Sequence, residues 1–451
     1  MLALAATISI TAAACGSDDN DTAVITDPIT TEAPAPTDAP VVTDAPVATD
    51  APVATEAPVE TDAPAETEAP AETEAPAEPA AFATDDGAST LRAGLTSLLQ
   101  EHVYLAGVAF ETAVDAGGNL EDPAVGAAVA ALDENSVALS EAVGSVAGDE
   151  NAAAFLELWR QHIGFFVDYT LGEATGNEEM KAQALTDLEG YQLAAGDFFS
   201  TITGGAIDAD TLVGGLEMHV STLTLAIDSF VAGDTDAFDN LKAAAEHMQG
   251  AALLLSSGIV TAVPEMFPGD VESGPSEVRT TLTYLLQEHV YLAGIAIEQA
   301  IEAGGDLEQP AVQAAVATLD ANTVELADVV GSVAGEENGE AFRELWRQHI
   351  GFFVDYTLGE ATGNEEMKAQ ALTDLEGYQQ AAGAFFEEIS GGEIVPAELI
   401  PGLEMHVSTL TAAIDSFVAG DTAAFTQLRA AGQHMPGAAL YLATGIVAAT
   451  S

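Results

Sequence analysis

Histidine is the residue type best placed for chemistry in this chain, and all 8 histidines lie in apolar stretches of helical period. They are His102, His162, His219 and His247 in one half, and His289, His349, His406 and His434 in the other. Residues three and four positions away on either side share a helix face. Around His162 these are Leu158, Trp159, Phe165 and Phe166; around His102 they are Leu98, Leu99, Leu105 and Ala106. His247 lies on a stripe of small residues, Ala243, Ala244, Gly250 and Ala251, that leaves space beside it. The spacing predicts imidazoles aimed at a core rather than at solvent. Neutral imidazole is a ligand for zinc, copper or iron, and ligands from facing helices can converge on one ion. All eight histidines are therefore candidate metal ligands, four per half. Asp168, Glu101, Glu217 and Glu246 are candidates to join them or to orient them.

Two other arrangements use the same residues. A haem could sit between His219 and His247, where Gly214, Gly215 and Gly250 leave a gap; with no Cys-x-x-Cys-His motif it would be held non-covalently. In the third arrangement the imidazoles bind nothing and knit the core. Aligned as helical hairpins, the chain sets His102 opposite Asn135, His162 opposite Tyr191 and His219 opposite His247, pairs that could satisfy buried nitrogens. The helix-borne metal spacings Glu-x-x-His, His-x-x-x-His and His-Glu-x-x-His do not occur. Met218, Met248, Met405 and Met435 adjoin histidines, but neighbouring helical positions diverge by about 100°, so core filling is the expectation for them. No nucleophile elbow, phosphate loop or singled-out carboxylate pair indicates an enzyme.

The elements that must carry these residues are helices. Apolar residues recur at three and four positions, as in Leu95, Leu98, Leu99, His102 and Leu105, and the alternation of strands is missing. Breaks such as "DAGGNLEDP" and "GEATGNEE" carry the Gly, Asn and Asp that end one helix and cap the next. They predict six helices, near 89–116, 122–146, 150–172, 177–202, 209–232 and 235–262. The pattern then repeats at an offset of 187, and Glu157–Gln192 is identical to Glu344–Gln379. The expected fold is all-α: two tandem six-helix up-down bundles of three hairpins each, at 88–266 and 276–451, joined by a Pro- and Gly-bearing linker at 267–275. Residues 16–87, rich in Thr, Ala, Pro and acids, read as an extended, solvated tether that cannot form a core.

The charge balance is 73 acidic residues against 9 basic. Such a surface repels nucleic-acid phosphates and concentrates cations. The single cysteine, Cys15, follows an apolar stretch and the small residues Ala12, Ala13 and Ala14, and precedes Gly16 and an acidic segment. This resembles a bacterial lipoprotein signal with its lipobox. The resemblance implies removal of residues 1–15 up to the cysteine, lipidation of Cys15, and a chain held by its lipid on the outer face of the membrane at the bacterial cell surface. At "LLQEHVYLAG", "LWRQHIGFF" and "GLEMHVSTL" the helical halves resemble uncharacterised exported, histidine-bearing helical-bundle proteins of Gram-positive bacteria, which carry no activity to transfer. Two functions are expected to compete: cation binding by the inward histidines, and a non-catalytic surface, adhesion or spacer module whose histidines are structural.

Overall fold

The computed structural model describes residues 83–450, so Cys15 and the expected tether up to residue 82 lie outside the described residues. Every regular element among the described residues is a helix. The first half contains α1 (Gly87–Asp115), α2 (Pro123–Ala147), α3 (Asp149–Thr175), α4 (Glu178–Ile202), α5 (Ala209–Ala232), α6 (Ala237–Glu246) and α7 (Met248–Ala262). The second contains α8 (Gly274–Glu302), α9 (Pro310–Ala334), α10 (Glu336–Thr362), α11 (Glu365–Ile389), α12 (Pro396–Ala419), α13 (Ala423–Gln433) and α14 (Met435–Thr450).

Local chemistry sets these boundaries. Asp86, Asp122, Asn177 and Asp208 accept backbone N–H bonds at the starts of α1, α2, α4 and α5. Pro123 and Pro310 occupy first-turn positions where no N–H is needed. Gly176 and Gly233 close α3 and α5 in the left-handed conformation. One difference from expectation recurs: the sixth predicted helix is two, bent at His247 and again at His434. Pro436 removes a backbone donor just beyond the second bend. The first half has no proline there, so proline is not the shared cause.

Helix α1 is buried without interruption from Leu99 to Ala113, and α8 from Leu282 to Ile297. A helix covered on all sides belongs inside a structure. Each is covered on one side by its own half, chiefly α2 and α7 or α9 and α14, and on the other side by its counterpart, because α1 packs on α8. The larger hydrophobic core accordingly runs through both halves, and a smaller one around Ile297, Phe353 and Leu375 lies in the second.

The α1–α8 contact is reciprocal. Arg92 Nη1 donates to the Val271 carbonyl at 2.8 Å, and Arg279 Nη1, offset by 187, donates to the Thr84 carbonyl at 2.7 Å. Tyr104 and Tyr291 stack on one another, ring centroids 5.5 Å apart at 12°. Lys242 faces Glu288 at 3.7 Å, and Arg429 pairs with Glu101. Corresponding residues thus meet as they do in an isologous dimer, here within one chain.

Gly107 leaves room for α6 to pack against α1. A Cβ there would lie 2.5 Å from the Leu241 side chain, itself wholly buried. Gly107→Ala is expected to overpack this contact and lower stability by about 1–3 kcal/mol, measured as a fall in the denaturant midpoint. An unchanged midpoint would show that α6 can yield.

Candidate metal centre

Three helices bring one imidazole each to a common point in the first half: His102 from α1, His162 from α3 and His219 from α5. One ring nitrogen from each lies within 4.8 Å of the other two, and all three residues are buried. His289 of α8, His349 of α10 and His406 of α12 repeat the arrangement. The positions follow from helical facing. α1, α3 and α5 pack on one another, and each carries its histidine on the face that also carries buried apolar residues such as Leu99, Phe166 and Leu223.

The spacing of two of the three nitrogens in each half fits a small metal ion. His102 Nε2 and His162 Nε2 are 3.4 Å apart, and His289 Nε2 and His349 Nε2 are 3.2 Å apart. Two imidazole ligands of a tetrahedral zinc, at metal–nitrogen distances of about 2.05 Å, have nitrogens about 3.3 Å apart. Three nitrogens are also the ligand count that leaves one coordination position open.

Burial keeps these imidazoles neutral, as a ligand must be. It pushes the His102 pKa down to about 3, with the neighbouring His219 adding to the effect. Burial and His247 lower His219 to about 4, and burial with His406 lowers His349 to about 3. His162, His289 and His406 are shifted in the same direction, again chiefly by burial. Three buried Nδ1 atoms, of His102, His219 and His406, have no hydrogen-bond partner.

His247 and His434 stand apart. Each is half-buried at the bend between two helices. The Nε2 of His247 lies 2.9 Å from the Gly215 carbonyl, while the His434 ring sits 5.8 Å from that of His406. They border the triads and are not within the close nitrogen sets. The four carboxylates considered with them do not join either. Glu101 is bound by Arg429 and Glu246 by Lys242; Glu217 and Asp168 are exposed. Of the expected hairpin pairs, Tyr191 does meet His162, stacked on it at 4.5 Å and 20° without a hydrogen bond, while Asn135 donates to the Leu98 carbonyl at 3.0 Å.

A cavity of 360 Å³ adjoins the first triad and one of 270 Å³ the second. All four histidines of each half line its cavity, whose walls are otherwise mainly Leu, Val, Phe and Trp. A dry cavity of about 150 Å³ accommodates benzene. On that scale the larger cavity takes roughly fourteen heavy atoms, and a haem, with several times as many, does not fit.

The space expected beside His219 and His247 is part of the first cavity, which Gly215 and Gly250 line; its extent was not legible, because which apolar faces fail to meet depends on helix tilt and bend. No protein-family model matches the chain, and no curated protein or solved structure is similar to it. No helix among the described residues is long and apolar enough to cross a membrane.

Proposed function

We propose that each half binds one transition-metal ion, zinc, copper or iron, through its buried histidine triad, in a protein displayed at the bacterial cell surface by a lipid on Cys15. The single observation that carries the metal reading is the convergence of three buried ring nitrogens within 4.8 Å, at corresponding places in both halves. Buried polar groups normally have a partner, and the third ring of each set, His219 or His406, lies outside the His102–His162 and His289–His349 contacts with its Nδ1 unpartnered. The acidic surface supports the reading by concentrating cations around the molecule. Nothing in the site indicates a reaction, and the role proposed is binding.

A second reading rests on a specific contact. Trp346 Nε1 donates to His289 Nδ1 at 3.4 Å, which leaves the proton of His289 on Nε2, facing His349 Nε2 at 3.2 Å. Such a chain could satisfy two rings without an ion, as structural histidines would. In the first half the corresponding Trp159 Nε1 has no partner, so the chain is not repeated there.

Equilibrium dialysis of the full chain without a histidine tag, against micromolar zinc, separates the two. The metal reading expects two ions per chain, one in His219→Ala or His406→Ala, and none in the double variant, each with its helical circular dichroism retained. Fewer than about one ion per ten folded chains would leave the histidines structural.

A further inference from the structure

The cavities suggest what completes each centre, an inference that rests on the metal reading above. A divalent ion on three neutral imidazoles carries its charge into a buried site, and the protein supplies nothing to offset it. Glu101, the carboxylate next to His102, is held by Arg429, and no acidic residue lines the first cavity. Buried charge persists only when it is paired. The open coordination position therefore favours an anionic donor, while the surrounding space accepts only carbon.

We propose that the first centre binds a small monoanionic amphiphile, a carboxylic acid with an apolar tail, whose head takes the remaining metal position and whose tail fills the 360 Å³ cavity. Thr90, Gly94, Ser145 and Gly250 line the cavity and are exposed, so it reaches the surface beside small side chains. At about 25 Å³ per heavy atom the fit is to a tail of roughly ten carbons.

The second centre differs in a way that predicts selectivity. Tyr441 stands where the first half has Leu254, and its hydroxyl is tied to the backbone of Val395, accepting from the N–H at 2.8 Å and donating to the carbonyl at 3.1 Å. Glu398, exposed at the rim, replaces Thr211 and places a negative charge at that entrance. The narrower cavity of 270 Å³ with an acidic rim disfavours the same ligand.

The test uses the full chain with zinc, decanoate as probe and acetate as the head-only control, read by calorimetry after zinc content has been measured in each sample. His406→Ala retains only the first centre and His219→Ala only the second. Decanoate should bind zinc-loaded His406→Ala at least tenfold more tightly than acetate does, and at least tenfold more tightly than it binds the same variant without zinc. It should bind the second centre more weakly than the first. Leu254→Tyr, a residue the other half already accommodates, should weaken decanoate at the first centre with zinc retained, and Tyr441→Leu should strengthen it at the second. Zinc bound but acetate equal to decanoate, or decanoate indifferent to zinc, overturns the proposal and leaves the metal reading standing. Absence of bound zinc overturns both.

Discussion

Acidifying the metal-free protein from pH 7 to pH 5 is expected to lower its stability markedly. Six buried imidazoles are held neutral in the fold, with folded pKa values of about 3 for His102 and His349, about 4 for His219, and below the ordinary range for His162, His289 and His406. In the unfolded chain each takes up a proton near pH 6.5. The unfolded state therefore binds more protons below that pH, and stability falls as pH falls, by up to about 1.4 kcal/mol per pH unit for each ring. A carboxylate group at the α1–α8 contact opposes this. Burial and mutual repulsion raise Glu298 to about 8 and Glu302 to about 7 and push Glu111 up as well, and burial raises Asp115. Groups with raised folded pKa values contribute stability that is present at low pH and lost as pH rises through those values. Glu101 and Glu288 are raised by burial too, partly offset by Arg429 and Lys242, and act in the same direction as those carboxylates. The rings set the sign: stability, about 5–15 kcal/mol in total, falls below pH 6.5 by the contribution of the rings less what these carboxylates return. Thermal melts should show a maximum near pH 6.5 and a steep fall below it. His162→Phe with His349→Phe should reduce the acid slope by removing two of the six rings. A melting temperature that stays level from pH 7 to pH 5 would mean that these rings are already charged or solvated in the fold.

Several of these features are readable along the chain, and the reason differs from one to the next. Helix limits are legible because Asp86, Asp122, Asn177, Asp208, Gly176 and Gly233 act through backbone geometry within a few residues. The inward aim of His102, His162 and His219 follows from the same local periodicity. Their convergence does not, since it depends on how α1, α3 and α5 pack, and His247 shows the difference. It satisfies the same facing rule, yet its helix bends there and its Nε2 meets the Gly215 carbonyl. Least legible is the α1–α8 pairing. The sequence offers Glu101 as a partner for the histidines, but it and Tyr104 are buried with partners from the other half, Arg429 and Glu288, far along the sequence. Glu111 and Glu298 were likewise indistinguishable from the many solvated acids of so acidic a chain.

That pairing yields the other large effect. Glu101 and Glu288 are corresponding buried carboxylates, 1% and 0% exposed, and the two halves stabilise them differently. Glu101 depends on Arg429, itself 8% exposed, which also reaches Glu134 at 2.8 Å. Glu288 accepts from Tyr104 at 2.9 Å, Tyr284 at 2.6 Å and Asn322 at 2.8 Å, with Lys242 more distant at 3.7 Å. Arg429→Ala should cost about 3–5 kcal/mol, because a buried charge is left without its partner. Lys242→Ala should cost distinctly less, since three neutral donors remain on Glu288 and the other partners of Lys242, Glu246 and Glu325, are free to turn to water. Glu101→Gln with Arg429→Met removes both charges and should recover most of the Arg429→Ala loss, as buried ion pairs replaced together by neutral groups of similar size are often close to neutral. Denaturant unfolding of the four proteins measures all three differences. If Lys242→Ala proves as damaging as Arg429→Ala, or the double variant no better than the single, Glu101 is not held by Arg429 and the contact between the halves owes its strength to the stacked tyrosines and apolar packing.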